Sequence, residues 1–389
     1  MIKARVLFFL WLGFTCLIWF WSDSYLGFLL PILSLALPAL LLFLTRLGAR
    51  RLEASFSAGV TGVKNRFTRG RVFLNNRGFF PLTRVICLME AENLLTGEHS
   101  RIRIPGAAPA HAGTELPVEF TSRYCGKLQV ALTGLEVYDP FGLFAFPVKA
   151  GGETVTLFPP DIFPMETQIL YGESLSLDSD MFSMTKAGSD SSETFAIREY
   201  RPGDRIRQIH WKLSEKLDIS MVREYGLPIQ NTILLVLETG WLEGQDRPQP
   251  ACMDALAEGL FSLAESLTEN QTVYSIAWYN HAQGELFCQE VNDPGELMGL
   301  YPQVLSAVPG QDPYSVLSHY MEGHEQFEFA HVVVFTPQHR ADLTTFEWAG
   351  LITEVVCQPQ AAGSYQDQSI RVITTTPETR EEDLVYLEI

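Results

Sequence analysis

The chain reads as a membrane-anchored multidomain protein: an N-terminal transmembrane helical hairpin, a β-sandwich-like domain and a C-terminal α/β domain. Three observations predict this. Two charge-free apolar runs occupy residues 6–21 and 26–44. Short strand-like segments, punctuated by Gly, Pro and Asn, follow up to residue 160. From residue 231 onward, apolar strand-like runs alternate with segments of helical period. The implied boundaries are 1–51 for the hairpin, 52–160 for the sandwich, 161–197 for a linker and 198–389 for the last domain.

The first run reads VLFFLWLGFTCLIWFW and the second LGFLLPILSLALPALLLFL. At about 1.5 Å per residue the second spans about 28 Å, close to the thickness of a hydrocarbon core. The first reaches that length by extending to Ala4, with Arg5 snorkelling. Only SDSY separates the two runs, which makes them a hairpin, and Pro31 and Pro38 are kinks that membrane helices tolerate. Lys3 and Arg5 flank one end and Arg46, Arg50 and Arg51 the other, so the positive-inside rule puts both termini, and everything after Arg51, on the cytoplasmic side. A cleaved signal peptide is the competing reading. Against it, no A-x-A-like site follows Trp21 and a second apolar run comes at once.

RVFLNNRG (71–78), TRVICLMEAEN (83–93), ELPVEFTSR (115–123), KLQVALTGLEVYD (127–139) and ETVTLFPP (153–160) are rich in β-branched and aromatic residues. With no amphipathic helix among them, they predict a small antiparallel sandwich. DPFGLF (139–144) reads as a tight corner anchored in that core. The Ser-rich stretch inside 161–197 reads as a mobile loop. TILLVLET (232–239) and AHVVVFTP (330–337) are continuous apolar runs, as expected of strands buried on both faces. Residues 251–269 carry Leu256, Leu260, Leu263 and Leu267 on one helical side. Helices are also expected at 295–308, 313–323 and 343–351, and strands at 272–280, 352–358 and 370–376. This alternation implies a Rossmann-like parallel sheet with helices on both faces.

Net charge is −18, from 28 basic and 46 acidic side chains, which argues against nucleic acid as a partner. The imbalance is local: residues 198–223 hold seven basic and four acidic side chains, and residues 224–389 hold four and 25. The six cysteines (16, 87, 125, 252, 288 and 357) are scattered without a CxxC pair, which suits free thiols in a reducing compartment better than a disulfide framework. No phosphate-cradling GxxxxGK[ST] or GxGxxG, no GxSxG and no HExxH is present.

RPGDRIRQIHWK (201–212) is the densest concentration of chemistry, with five charged side chains and His210. Pro202 and Gly203 predict a sharp turn. As a catalytic site, His210 would serve as a base, Asp204 would orient it and Arg207 would hold an anion, giving a hydrolase-type enzyme. No nucleophile or metal-ligand set accompanies them, so a structural clamp and docking surface is the favoured reading. In it Arg207 and Arg223 pair with Asp204 and with Glu199 or Glu224, Trp211 packs against the α/β core, and Arg205 and Lys216 are left to meet an acidic partner.

The longer stretch REYRPGDRIRQIHWKLSEKLDISMVREY (198–225) resembles the signature of the bacterial family called domain of unknown function 58. Arg198, Glu199, Tyr200, Pro202, Gly203, Asp204, Arg207, Ile209, Trp211, Lys212, Ser214, Val222, Arg223, Glu224 and Tyr225 stand where that pattern asks, while Glu215 and Lys216 replace its Ala-Arg. YDPFGLF (138–144) is similar to a segment preceding the family's motif. The resemblance implies a protein of the cytoplasmic membrane whose partners are an AAA+ ATPase of the MoxR type and a transglutaminase-like membrane protein. Together with the missing catalytic groups, it leads to the expectation of a non-enzymatic scaffold or adaptor in complex assembly or maturation, with no cofactor. It also implies a C-terminal von Willebrand factor A-like domain. Such domains often hold Mg²⁺ through Asp-x-Ser-x-Ser after the first strand. Here Glu238, Gly240 and Leu242 occupy those places and the later strand ends Thr336-Pro337-Gln338, so that metal site is expected to be absent, with Glu238 as a helix cap or surface group.

Overall fold

A computed structural model of the protein describes residues 2–22, 24–168, 182–188, 194–201, 209–217, 219–228, 231–323, 329–346, 351–360, 363–367 and 370–388. The chain forms two compact units, Met1–Pro159 and Pro160–Ile389.

The first unit begins with helices α1 (Ile2–Trp21) and α2 (Tyr25–Ala49), both long and apolar enough to cross a membrane. Most of their residues are exposed, apolar ones included. Ser24 caps α2 by accepting from the Leu26 N–H. Arg5 lies within α1 and is held by protein: its Nε donates to the Leu143 carbonyl at 2.8 Å and its guanidinium lies over the Phe144 ring. The corner DPFGLF is therefore only partly a core anchor. Asp139 and Leu143 are buried, and the Asp139 carboxylate accepts from the Phe141 and Phe144 N–H groups. Phe141 and Phe144, however, remain about half exposed.

Eight strands follow: β1 (Leu52–Ala58), β2 (Thr68–Asn76), β3 (Leu82–Asn93), β4 (His99–Ala108), β5 (Ala112–Phe120), β6 (Gly126–Tyr138), β7 (Ala145–Val148) and β8 (Glu153–Phe158). One antiparallel sheet has the order β1-β2-β5; the other runs β4-β3-β6-β7, with β8 also on β6. Val72, Leu74 and Val118 of the first sheet share a core with Val85, Cys87, Met89, Val130 and Val137 of the second. A bulge in β6 sets which residues reach that core. Leu132 pairs with Met89 and Gly134 with Leu88, so Thr133 is the extra residue. Before it Leu128, Val130 and Leu132 point inward, and after it Leu135 and Val137 do.

The second unit contains β9 (Glu166–Gln168), β10 (Phe182–Gly188), β11 (Thr194–Glu199), helix α3 (Trp211–Leu217), β12 (Met221–Pro228) and β13 (Asn231–Leu237). These lead to α4 (Pro250–Glu269), β14 (Tyr274–Asn280), β15 (Glu285–Val291), α5 (Pro294–Val304), α6 (Val316–Gly323), β16 (Phe329–Thr336), β17 (Leu351–Cys357), β18 (Tyr365–Asp367), β19 (Ile370–Thr375), α7 (Arg380–Asp383) and β20 (Tyr386–Glu388). The expected linker is not free of structure. Its strand β10 pairs with β12, and β11 pairs with the other edge of β12, making a three-stranded antiparallel sheet. The helix expected at 343–351 is a short 3₁₀ turn at Ala341–Thr345, and residues 347–350 lie outside the described residues.

The main sheet runs β15-β14-β13-β16-β17-β19-β18, with β15 and β18 antiparallel at the edges and the strands between them parallel. Every residue from Ile233 to Leu237 is buried, because β13 is covered on both faces. Leu234 and Val236 share a cluster with Val316, Leu317 and Tyr320 of α6, while α4 packs on β13, β16 and β17. Chain order reverses its direction of progress between β13 and β16. In open sheets of this kind, the crevice outside the carboxyl ends of the strands at such a reversal is the preferred place for a ligand.

Candidate functional site

Two regions carry chemistry, the signature segment and the crevice at the carboxyl ends of β13 and β16.

In the signature segment, Arg198 and Glu199 lie on β11 opposite Val222 and Met221 of β12. The hairpin continues through the Tyr200 N–H to the Ser220 carbonyl and an Ile209–Val222 bridge. Between them sits α3. His210 begins it: its carbonyl accepts from the Leu213 and Ser214 N–H groups, and its Nδ1 accepts from the Leu213 N–H at 3.3 Å. Ser214 ties helix to strand, accepting from the Met221 N–H at 2.8 Å and donating to the His210 carbonyl. Helical period then decides exposure. His210, Leu213 and Ser214 face inward, and Trp211, Lys212, Glu215 and Lys216 face outward. Trp211 is 66% exposed, which corrects the expectation that it packs against the α/β core. Tyr200 is also exposed. Pro202, Gly203, Asp204, Arg205 and Arg207 lie outside the described residues, as do the side chains of Arg198, Arg223, Glu224 and Tyr225, and with them the expected ion pairs and the Asp204–His210 pairing.

The crevice is built from loops that follow parallel strands. Glu238, the first residue after β13, is 1% exposed, which corrects its assignment as a surface group. It does act as a cap: Oε2 accepts from the Val316 N–H at 2.8 Å, at the first residue of α6, and Oε1 accepts from the Gly240 N–H at 3.1 Å. Burial pushes its carboxyl up to about 7, against the opposing pull of Arg340 and the two backbone donors. Arg340, beyond β16, is fully buried. Its Nε meets Asp342 Oδ1 at 3.3 Å, while Nη1 and Nη2 have no hydrogen-bond partner. The Arg340 N–H donates to Oε1 of Glu354, a buried carboxylate in the middle of β17. His339 Nδ1 bonds the other oxygen of Glu354, and His339 Nε2 lies 3.2 Å from Asp367. Desolvation raises the Glu354 pKa, and the His339 hydrogen bond partly offsets it.

Asp342 also accepts from the Ser315 N–H at 2.9 Å and from the Ser318 hydroxyl at 3.2 Å, fastening the start of α6 to the loop after β16. On the other side Asp312 sits 2.9 Å from His319 Nε2 and 3.6 Å from His281 Nδ1. His281 Nε2 is buried without a partner, and burial lowers the pKa of this ring, outweighing the Asp312 charge. Glu238 Oε1 and His281 Nε2 would each lie 3.1 Å from a β-carbon placed on Gly240, so any side chain there would crowd both groups. Among the described residues no cluster of three or more His, Cys, Asp or Glu side chains is arranged to hold a metal ion, and Gly240 and Leu242 offer no side-chain oxygen. Apart from Glu238 and Gly240, this network escaped sequence reasoning. Its members come from six separated loops or elements and form no local motif; the faint signal was a carboxylate, Glu354, inside the apolar run ITEVVC.

Comparison with known proteins adds no identity. No protein-family profile matches the chain. No curated protein matches it either. Among solved structures, a CARDB domain from Pyrococcus furiosus, solved with two metal ions, aligns at 11% identity and a TM-score of 0.18, covering 25% of this chain and 86% of that one. A cohesin module of a Clostridium perfringens family 33 glycoside hydrolase aligns at 10% identity and a TM-score of 0.18, over 26% and 97% of the two chains. A Bacteroides uniformis β-glucuronidase aligns at 9% identity and a TM-score of 0.20, over 79% of this chain and 36% of that one.

Proposed function

We propose that the protein is a non-enzymatic scaffold or adaptor of the cytoplasmic membrane. In this reading it is anchored by α1 and α2, its second unit is von Willebrand factor A-like, and it works with a MoxR-type AAA+ ATPase in assembling or maturing a protein complex. The observation that carries the reading is the exposure of Trp211 on α3, in the middle of the signature, beside Lys212 and Lys216. A large exposed aromatic next to cations is costly to present to water and is the residue type that dominates protein–protein interfaces. Tyr200, also exposed, extends the same segment. The signature resemblance supplies the partner. The basic flanks Lys3, Arg5, Arg46, Arg50 and Arg51 support a cytoplasmic placement of both units.

The test is crosslinking of the tagged full-length protein in its native membrane, with captured proteins identified by mass spectrometry. A MoxR-type ATPase is expected among them. Trp211→Ala is expected to lower its recovery by about tenfold or more, in line with the loss of an interfacial aromatic anchor. Consistent absence of any AAA+ ATPase from the wild-type capture, or undiminished capture by a folded Trp211→Ala protein, would overturn the reading.

A further inference from the structure

One end of the Met1–Pro159 unit belongs neither to the signature segment nor to the Glu238–Arg340 network. It is the end of the β-body that the hairpin joins, where two loops touch the helices. The corner 139–144 meets α1 through the Arg5–Leu143 hydrogen bond and the stacking of Arg5 on Phe144. The turn 77–81, between β2 and β3, meets the end of α2: the Arg77 N–H donates to the Arg51 carbonyl at 3.1 Å, and a β-carbon on Gly78 would lie 3.4 Å from the Gly48 Cα. Phe79, Phe141 and Phe144 on these loops are each about half exposed. Arginines surround them. Arg84 lies over the Tyr138 ring, and its Nη1 would stand 3.8 Å from a β-carbon on Gly142. Arg46, Arg50 and Arg51 are exposed at the end of α2. Among the described residues no carboxylate pairs with Arg5, Arg46, Arg50, Arg51 or Arg84. Asp139, the one acid in the two loops, accepts from the Phe141 and Phe144 N–H groups, and Glu53 is paired with Arg77.

We propose that this end of the β-body is itself a lipid-binding surface: Phe79, Phe141 and Phe144 insert at the edge of the hydrocarbon layer, and the arginines around them bind the phosphates of anionic lipids. The proposal rests on the membrane anchoring proposed above, because it needs α1 and α2 seated in a bilayer.

Depth along the hairpin supports it. Trp11 Nε1 donates to Ser34 Oγ, which sets the stagger of the two antiparallel helices. Six residues further toward the β-body on each helix, Arg5 comes level with about Leu40 of α2. Leu40 is exposed, and so is Phe43 one turn beyond it. Six residues of helix rise about 9 Å, so the corner gripped by Arg5 lies about 9 Å nearer the bilayer centre than Arg46 does. With Leu40 and Phe43 in lipid, that corner cannot stand clear of the lipid surface. The chemistry fits the same place. Half-exposed phenylalanines gain by leaving water for the acyl boundary. A guanidinium matches a phosphate with paired N–H donors, and the absence of competing carboxylates leaves these arginines available for it. The last turn of α2 also holds the surface in place, since Ala49 shares the buried core of the body with Leu52, Leu82 and Val85.

The test uses the full-length protein in nanodiscs of phosphatidylcholine with a minor share of phosphatidylglycerol. Phe9, Phe67, Phe79 and Phe141, all exposed, are replaced one at a time by the photocrosslinker p-benzoylphenylalanine, and adducts are read by mass spectrometry after irradiation. Phe9, on α1, reports whether the hairpin is in lipid. Phe67 precedes β2, whose nine residues put it about 30 Å from the turn 77–81, so it serves as the control on the body. Lipid adducts are expected at positions 9, 79 and 141, with none above background at 67. At position 79 the ratio of phosphatidylglycerol to phosphatidylcholine among adducts should exceed that of the disc by about fivefold, the preference one basic side chain at a surface confers. It should fall to the disc's own ratio when Arg50→Gln and Arg51→Gln are combined. Adducts at 9 that are missing at 79 or 141 would overturn the lipid-binding surface and leave the anchoring standing; their absence at all four positions would overturn both. Adducts as frequent at 67 as at 141, or crosslinks to a second copy of the chain in place of lipid, would also overturn it. An adduct ratio equal to that of the disc in the protein with both arginines would refute the role given to them.

Discussion

Replacing Glu238 by Gln is expected to change how stability depends on pH, by an amount that follows from where the carboxylate sits. The group is buried at the end of β13 with two backbone donors and Arg340 nearby, and burial dominates, raising its pKa from 4.5 to about 7. An acid whose pKa is raised on folding binds its proton more tightly in the native state. Its contribution is therefore fully present below about pH 4.5 and is lost as pH rises through about 7. Integrated between pH 5 and pH 8, this loss is roughly 2–3 kcal/mol. Glutamine does not titrate. Its amide lacks one acceptor for the Val316 and Gly240 N–H groups, which adds a cost that is the same at every pH. The useful quantity is the difference between wild type and Glu238→Gln, followed across pH. Hydrogen exchange of the β13 and β16 amides in the full-length protein measures it, because comparison at each pH cancels the intrinsic exchange rate. From pH 5 to pH 8, wild-type protection in these strands should fall relative to the variant by between one and two orders of magnitude. His281 and His331, whose pKa values burial lowers, contribute with the opposite sign in both proteins and drop out of the difference. If the two proteins keep a constant stability difference over this range, Glu238 is not the buried, proton-binding group argued for here.

Two other substitutions report on the two units separately. Arg380→Ala strips the guanidinium from the fully buried Glu258 of α4 and should destabilise the second unit by about 3–5 kcal/mol, read by denaturant unfolding; a loss below about 1 kcal/mol would refute the pairing. Gly62→Ala would place a β-carbon 2.5 Å from the buried Phe158 ring and 2.6 Å from Thr68 Oγ1, so a loss of about 1–3 kcal/mol is expected in the first unit, and an unchanged melting temperature would show that the ring yields freely.

Legibility in the sequence followed how strongly burial constrained each segment. β13 and β16 stand out as unbroken apolar runs because both of their faces are covered, and α4 stands out because Leu256, Leu260, Leu263 and Leu267 recur at helical spacing and are all buried. The apolar helices α1 and α2 are read from length and the absence of charge alone. Edge strands gave weaker signals. β4 reads HSRIRIPGAA and β15 ELFCQEV; exposure at alternate or successive positions lets charge and Pro into both, so neither shows the apolar pattern that marks a strand. Trp211 shows the limit of reasoning from residue type. An aromatic in a charged segment suggests an anchor in the core, but the anchors of α3 are Leu213 and Ser214, and a helix of seven residues turns Trp211 to the opposite side. The Glu238–Arg340 network was invisible for a different reason. Its hydrogen bonds join Glu238 to Val316 and Arg340 to Glu354, contacts that only the strand order creates.

The junction between helix and strand in the first unit has a mechanical consequence. Only Arg50 and Arg51 separate the end of α2 from the start of β1, and Arg5 of α1 grips the Leu143 carbonyl in the corner of the β-body. Two residues reach about 7 Å at full extension, too short for a swivel. With α1 and α2 seated in a bilayer, as proposed, the sandwich would not trail on a tether. It would stand on two footings, and its tilt and height above the lipid would be inherited from the hairpin. A change in helix tilt, from a thicker bilayer or a neighbouring span, would then be transmitted to the body as a rigid rotation, as a mast carries the roll of the hull beneath it.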